Sequence, residues 1–336
     1  MRPGDKMKIT VIICTFNRGN TVARTLHSVA ASVLPKSVEC EILVVDNNST
    51  DGTREVVEGF CRNHPGLFRY LFEPLQGKSY ALNYGIREAQ GDVVAFLDDD
   101  VTVEPAWLQN LTAPLEGSEW AGTGGRTVLE GPFSPPSWLT LQGLGAMGGI
   151  LAALFDLGDK PCKLDQAPYG ANMAYRKKLF EKYGLFRTDL GPSPNRKTPR
   201  PNEDTEFGRR LMAAGERLRY EPSAVVYHPL LESRVKKEYF LAWWFDYGRA
   251  QIRERGKGAP VWGVPRHYLS IPKMIALNLS AYAWRWIWTM NPKRRFIFKC
   301  RVWNMAGQIV ETYRLTREEQ EIPAESNRNE LMNRAG

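Results

Sequence analysis

The chain of 336 residues has little with which to tie itself together covalently: five cysteines, an odd number with no C-x-x-C pair, and four histidines. That count excludes a dense disulfide framework and a cysteine-ligated zinc site, and it fits a reducing cytosol. The opening stretch, Met1 to Lys6, leads straight into a strand-like run without the apolar core and small-residue cleavage site of a signal peptide. The Asn110-Leu111-Thr112 sequon is accordingly read as a chance match. A spanning helix is also lacking. In the C-terminal third the uncharged run from Met274 to Trp284, bounded by Lys273 and Arg285, falls far short of the roughly 20 residues a bilayer needs.

Acid is the minority charge, with 37 Asp and Glu against 45 Lys and Arg, a formal net charge of +8. The excess suits a nucleic acid, an acidic membrane surface or a phosphorylated substrate, and does not choose among them. A composition of 43% hydrophobic and 24% charged residues is globular, and the length allows one large domain plus an appendage.

The acids that are present are concentrated. Val93-Val94-Ala95-Phe96-Leu97 is an apolar run that ends in Asp98-Asp99-Asp100. Three anions closing a buried strand repel one another unless positive charge stands between them, most simply a divalent metal. Side chains alternate along a strand, so Asp98 and Asp100 share a side and Asp99 points away. Two more β-branched runs behave alike. Lys8 to Cys14 is followed by Thr15-Phe16-Asn17-Arg18, and Glu41 to Val45 by Asp46-Asn47-Asn48-Ser49-Thr50-Asp51-Gly52-Thr53. Helical spacing separates them, with Val22, Leu26 and Val29 in the first connection and Val56, Val57 and Phe60 in the second. Alternating strands and helices predict an open α/β sheet whose ligand lies beyond the carboxyl ends of the strands.

Together with Gly77-Lys78 and Asn202-Glu203-Asp204, these motifs resemble the family 2 glycosyltransferases, inverting enzymes of the GT-A fold that use nucleotide-sugar donors. The resemblance runs from about Lys8 to about His228, with the motifs in order. It implies a mostly parallel, Rossmann-like sheet flanked by helices. The expected domain is 1–234, with a nucleotide-sugar half at about 7–125 and an acceptor half at about 126–234. A mainly helical extension at 235–315 and a disordered tail at 316–336 follow.

By that resemblance Thr15, Asn17, Arg18, Asp46, Lys78, Asp98 and Asp99 contact the nucleotide sugar, Asp98 as a ribose contact or a support for the metal. Asp100 and His228 hold Mg²⁺ or Mn²⁺, Gly170, Asn172 and Glu203 meet the acceptor, and Asp204 is the general base. Each has an ordinary reading that stays open on sequence alone. Asp46 suits an Asx-turn, Lys78 a solvent-facing position, His228 a packed strand end, and Asn202-Glu203-Asp204 a helix cap. Gly77-Lys78 at a helix start is able to hold phosphate through backbone N–H groups and the lysine charge, and it is not a P-loop, because the Walker spacing is absent.

Two loops stand apart. Leu139 to Leu157 is apolar and carries Gly143, Gly145, Gly148 and Gly149; it reads either as an insertion that touches a greasy acceptor or as a plain core element. Gly191 to Pro201 is rich in proline and positive charge and reads as a loop that orders on an anionic ligand.

Seven of ten tryptophans lie after residue 240, interleaved with Arg285, Lys293, Arg294, Arg295, Lys299 and Arg301. That mixture suits peripheral attachment to an anionic membrane surface, with a helical homo-oligomer contact or a packed subdomain as the alternatives. Arg285-Trp286 matches part of the Gln-x-x-Arg-Trp motif of the family's processive synthases, but Tyr282 stands in place of the glutamine, which favours transfer of a single sugar. The expectation is therefore a metal-dependent inverting glycosyltransferase. Its donor is a nucleoside-diphosphate sugar, its acceptor a lipid-linked or cell-surface glycan, its place the cytoplasm at the inner membrane face, and nucleic acid is not among its partners. A nucleotidyltransferase, or a basic membrane- or nucleic-acid-binding protein on a non-catalytic scaffold, is the competing reading.

Overall fold

The computed structural model describes residues 7–32, 38–141, 143, 145–194, 202–256 and 274–333, with side chains from 277 to 315 in the last stretch. Two compact units result. Met1–Ser134, Leu141–Thr198 and Asn202–Arg234 form the first, and Pro135–Thr140, Pro199–Pro201 and Val235–Gly336 the second.

The strands of the first unit are β1 (Lys8–Thr15), β2 (Glu39–Asp46), β3 (Phe68–Phe72), β4 (Val93–Asp98), β5 (Thr102–Val103), β6 (Gly122–Leu129), β7 (Cys162–Lys163), β8 (Asn172–Arg176) and β9 (Leu218–His228). Among the described residues they make one nine-stranded sheet in the order β3-β2-β1-β4-β8-β6-β9-β5, with β7 also beside β9. The first four strands are parallel, and β8 runs against both β4 and β6. Helices α1 (Gly19–Ala30), α2 (Thr53–Asn63), α3 (Lys78–Glu88), α4 (Trp107–Thr112), α5 (Gly148–Ala152), α6 (Lys178–Tyr183) and α7 (Glu203–Ala213) connect them.

The β-branched runs become strands because both sheet faces are covered. Ile9, Val11 and Ile13 pack in one layer with Val22, Leu26 and Val29 of α1, while Ile12 packs in the other with Ala81, Leu82 and Ile86 of α3. Each such buried side chain is worth about 1.5–3 kcal/mol of transfer free energy. The glycine-rich segment resolves to the plainer of its two readings. Ile150, Leu151, Ala152 and Phe155 are buried, and Phe155 exchanges a pair of backbone hydrogen bonds with Thr127 at 3.0 Å. At Gly149 a Cβ would lie 2.7 Å from the Tyr169 hydroxyl, so glycine here serves close packing.

The second unit contains α8 (Lys237–Arg255), a π-helical stretch (Met274–Leu279), α9 (Ser280–Trp288) and α10 (Pro292–Asn333). Helices α8 and α10 cross at Gly248 and Gly307, where a Cβ would stand 2.0 Å from the carbonyl oxygens of Asn304 and Phe245. One turn away Glu311, fully buried, accepts from Arg249 Nε at 2.7 Å and also pairs with Arg253. Backbone helix continues to Asn333. Among the described residues no helix is long and apolar enough to cross a membrane.

Candidate active site

Sheet register brings the polar motifs to one edge. Thr15 pairs with Asp46 and Cys14 with Asp98, so β1, β2 and β4 end at the same level. Strand β9 is parallel to β6, which delivers His228 to that edge. Because β8 is reversed, it contributes its beginning there, with Gly170 just ahead of it.

Three cations stand among the three aspartates. Arg18 Nη1 donates to Asp99 Oδ1 at 2.7 Å and to Asp100 Oδ2 at 3.1 Å. Lys78 Nζ donates to Asp98 Oδ1 at 2.7 Å and lies 3.8 Å from Glu203 Oε1. Arg234 Nη2 lies 3.8 Å from Asp100 Oδ2. Burial raises Asp98, but the Lys78 charge and hydrogen bond, helped by His228 and Arg18, hold it below the ordinary carboxylate range. Asp99 is pushed up to about 6, by burial first and by the neighbouring Asp100 and Asp98, against the pull of Arg18. Burial, then the adjacent Asp204, pushes Glu203 up to about 8. For Lys78 burial works against the charge, yet Asp98, Glu203 and Asp204 carry its pKa above the usual lysine range.

Asp98, Asp100 and His228 offer one ligand atom each, all within 4.8 Å of one another. The His228 ring is preset for ligation. Its Nδ1 donates to the Pro229 carbonyl at 2.9 Å, which turns Nε2 toward Asp100 Oδ1 at 3.6 Å. Two carboxylates and an imidazole suit Mg²⁺ or Mn²⁺. Asp98, expected to support the metal or the ribose, thus joins Asp100 and His228 in the same group.

Asp204 opens α7. Its Oδ2 accepts the Gly170 N–H at 2.6 Å and its Oδ1 the Thr205 N–H at 2.6 Å, which orients the carboxylate and leaves a lone pair free on each oxygen. A Cβ on Gly170 would stand 3.1 Å from Oδ2, and one on Gly191, at φ +91°, would meet Glu203 Cδ at 3.1 Å.

Four of the expected contact residues also hold together the elements that frame the site. The Asn172 amide is engaged within the fold: its Oδ1 accepts the buried Trp107 indole N–H at 2.8 Å, and its Nδ2 donates to the carbonyls of Ala224 and Arg126 at 2.8 and 3.0 Å. Gly125 makes room for that amide, since a Cβ there would lie 2.3 Å from Nδ2. The Asp46 carboxylate accepts the Ser49 N–H, three residues on, and the Tyr70 hydroxyl, each at 2.9 Å. Asn17, at φ 51°, ties β1 to the next loop through the Ser49 hydroxyl and the Thr50 N–H. Thr15 is buried, its hydroxyl beside Asp99.

Two residues at the site carry no advance signal of their role. Arg234 follows no motif, and Asn47 directs the loop into α3 by accepting the Gly77 N–H at 2.7 Å. The proline-rich basic loop lies from residue 195 to 201 outside the described residues.

The family model described as Glycosyl transferase family 2 matches residues 10–184, more than half of the chain. The chain belongs to this family. Among relatives of this glycosyltransferase, AglE of Haloferax volcanii is 27% identical over 273 residues, covering 81% of this chain and 79% of that protein. The glucosyl-dolichyl phosphate glucuronosyltransferase of the same organism is 27% identical over 253 residues, 72% of this chain and 76% of that one. Among solved structures, the mannosyltransferase PcManGT of Pyrobaculum calidifontis, in complex with GDP-Man and Mn²⁺, superposes with a TM-score of 0.58 at 17% identity, covering 91% of this chain and 88% of its own. That likeness is of fold, and it makes the glycosyltransferase domain GT-A.

Proposed function

We propose that this glycosyltransferase moves one sugar, with inversion, from a nucleoside-diphosphate sugar to a hydroxyl of a lipid-linked or cell-surface glycan. The observation that carries the reading is the Asp98, Asp100 and His228 group on the same sheet edge as the oriented Asp204 carboxylate. The donor class is supported by GDP-Man and Mn²⁺ in PcManGT, and a lipid-linked acceptor by the name of the glucuronosyltransferase.

Asp98, Asp100 and His228 would hold the divalent ion, which when bound offsets charge on the leaving diphosphate. The rest is done by side chains of the chain itself. Arg18, Lys78 and Arg234 supply positive charge for phosphate oxygens, and Lys78 stands at the N-terminus of α3, the positive end of its dipole. Asp204 takes the proton of the acceptor hydroxyl as it attacks the anomeric carbon through a transition state of oxocarbenium character. The Gly170 and Thr205 N–H groups hold that carboxylate in one orientation.

Thermal stabilisation by UDP, GDP, dTDP and CDP, each with and without Mn²⁺ or Mg²⁺, tests the donor site. A ligand that binds only the folded state at 100 times its Kd adds about 2.7 kcal/mol. We expect a metal-dependent shift with one nucleotide and none in Asp100→Ala. The same shift without metal, or in Asp100→Ala, removes the ion from the reading.

A further inference from the structure

From Arg255 to Val310 the chain has no Asp or Glu, while ten Lys and Arg fall in that interval. Within it, α9 turns one face inward and one outward. Trp286 packs edge-on against Trp303 of α10 with ring centroids 6.0 Å apart, and Lys299 Nζ lies over both rings at 5.4 and 5.3 Å. Arg285 is held 5.8 Å from the Phe298 ring. With that face committed, the other presents Trp284 and Trp288, each 65% exposed, and Ile287 at 61%, continued by Leu277 and by Met290 at 92%. Lys293, Arg294 and Arg295 follow immediately, all exposed.

We infer that this aromatic stripe and the basic turn after it form a docking surface for an anionic lipid bilayer. Indole rings favour the headgroup depth, aliphatic side chains the acyl boundary beneath it, and the adjoining cations the anionic headgroups. α9 has nine residues, too short to span, so it lies in the interface plane. Charge argues against a second copy of the chain, because a two-fold contact through this patch joins two segments without Asp or Glu and offers Lys293, Arg294 and Arg295 no acidic partner from either. Nucleic acid would use the cations but gain nothing from Ile287, Leu277 or Met290. The Trp284 and Trp288 rings also pack on each other, centroids 5.2 Å apart, which leaves no slot between them for a base. A bilayer partner rests on the lipid-linked acceptor proposed above for its purpose, but its binding needs neither donor nor turnover.

Cosedimentation of the full chain with neutral phosphatidylcholine vesicles, and with vesicles that add phosphatidylglycerol, tests the surface. We expect capture by the anionic vesicles only, weakened roughly tenfold in Trp284→Ala/Trp288→Ala. Lys293→Gln/Arg294→Gln/Arg295→Gln should weaken it roughly 100-fold, at about fivefold per cation lost from an anionic surface. These side chains are solvent-facing, and an unchanged thermal midpoint in each variant confirms folding. Equal capture by neutral vesicles, or capture untouched by both variants, overturns the inference. So does tight retention on a single-stranded oligonucleotide with the vesicles left bare, or a dimer in solution that dissociates in the tryptophan variant. Asp204→Asn, inactive in transfer on the proposed mechanism, is expected to bind vesicles as the native chain does. Full binding by that variant keeps the surface separate from the fate of the catalytic assignment.

Discussion

Replacing Glu203 by glutamine keeps the shape of a protonated carboxyl and removes its ability to ionise, so it isolates what the proton on this side chain is worth. Glu203 is 4% exposed, and its ordinary value of 4.5 is pushed up to about 8, by burial and then by Asp204. Between those two values the folded chain holds a proton that the unfolded chain has released. Stability from this group is therefore fully present below the unfolded pKa and declines as pH rises toward about 8, where the native carboxyl ionises as well. At 1.36 kcal/mol per unit the interval is worth about 3–5 kcal/mol. For a unit of this size that is roughly 6–20 °C in midpoint. Thermal unfolding of native chain and Glu203→Gln from pH 5 to pH 8.5 is the assay. The two midpoints should nearly coincide at the acid end and separate with rising pH, the variant melting higher. Asp99, also raised, titrates in both proteins and cancels in the difference. Parallel curves across the range, or a variant that melts lower at pH 8.5, would refute the argument that Glu203 is held protonated.

Asp204→Asn should lower kcat about 10²–10⁴-fold while leaving nucleotide-induced stabilisation intact; full activity would remove Asp204 as the base. Gly170→Ala places a Cβ against Asp204 Oδ2 and should cost about tenfold in kcat with donor binding unaltered, read by steady-state kinetics against thermal shift. Asn172→Ala leaves the buried Trp107 indole N–H without its acceptor and should cost about 2–4 kcal/mol in denaturant unfolding, with the acceptor KM unchanged. A raised acceptor KM at native stability would instead return Asn172 to the acceptor site.

The sheet edge was legible because its cause is local. An apolar run that halts at carboxylates marks both a strand end and a place where charge must be balanced; β2 and β4 have such an end, and β1 halts at the polar Thr15-Phe16-Asn17-Arg18. Roles that depend on distant partners were not. Nothing near Asn172 announces that an indole 65 residues away and two carbonyls on β6 and β9 will consume its amide. Asp46 satisfies its carboxylate with Tyr70 from the next strand and with its own turn. Arg234 reaches Asp100 only because β9 ends at the same edge and the chain turns back through a short 3₁₀ segment. The glycine-rich stretch hid its burial, since glycines read as flexible until the rings they admit, such as Tyr169, are seen against them.

The mutual pairing of Arg18, Lys78 and Arg234 with Asp98, Asp99 and Asp100 bears on how the pocket responds to ionic strength. These opposite charges already screen one another. A sugar nucleotide that arrives with its counter-ion is close to neutral across the diphosphate, and exchanges one set of paired charges for another. Binding of such a unit releases few ions from solution, so donor affinity in the presence of metal should vary little with added salt. A bare nucleoside diphosphate, by contrast, brings net negative charge, and its affinity should fall as the Debye length shortens.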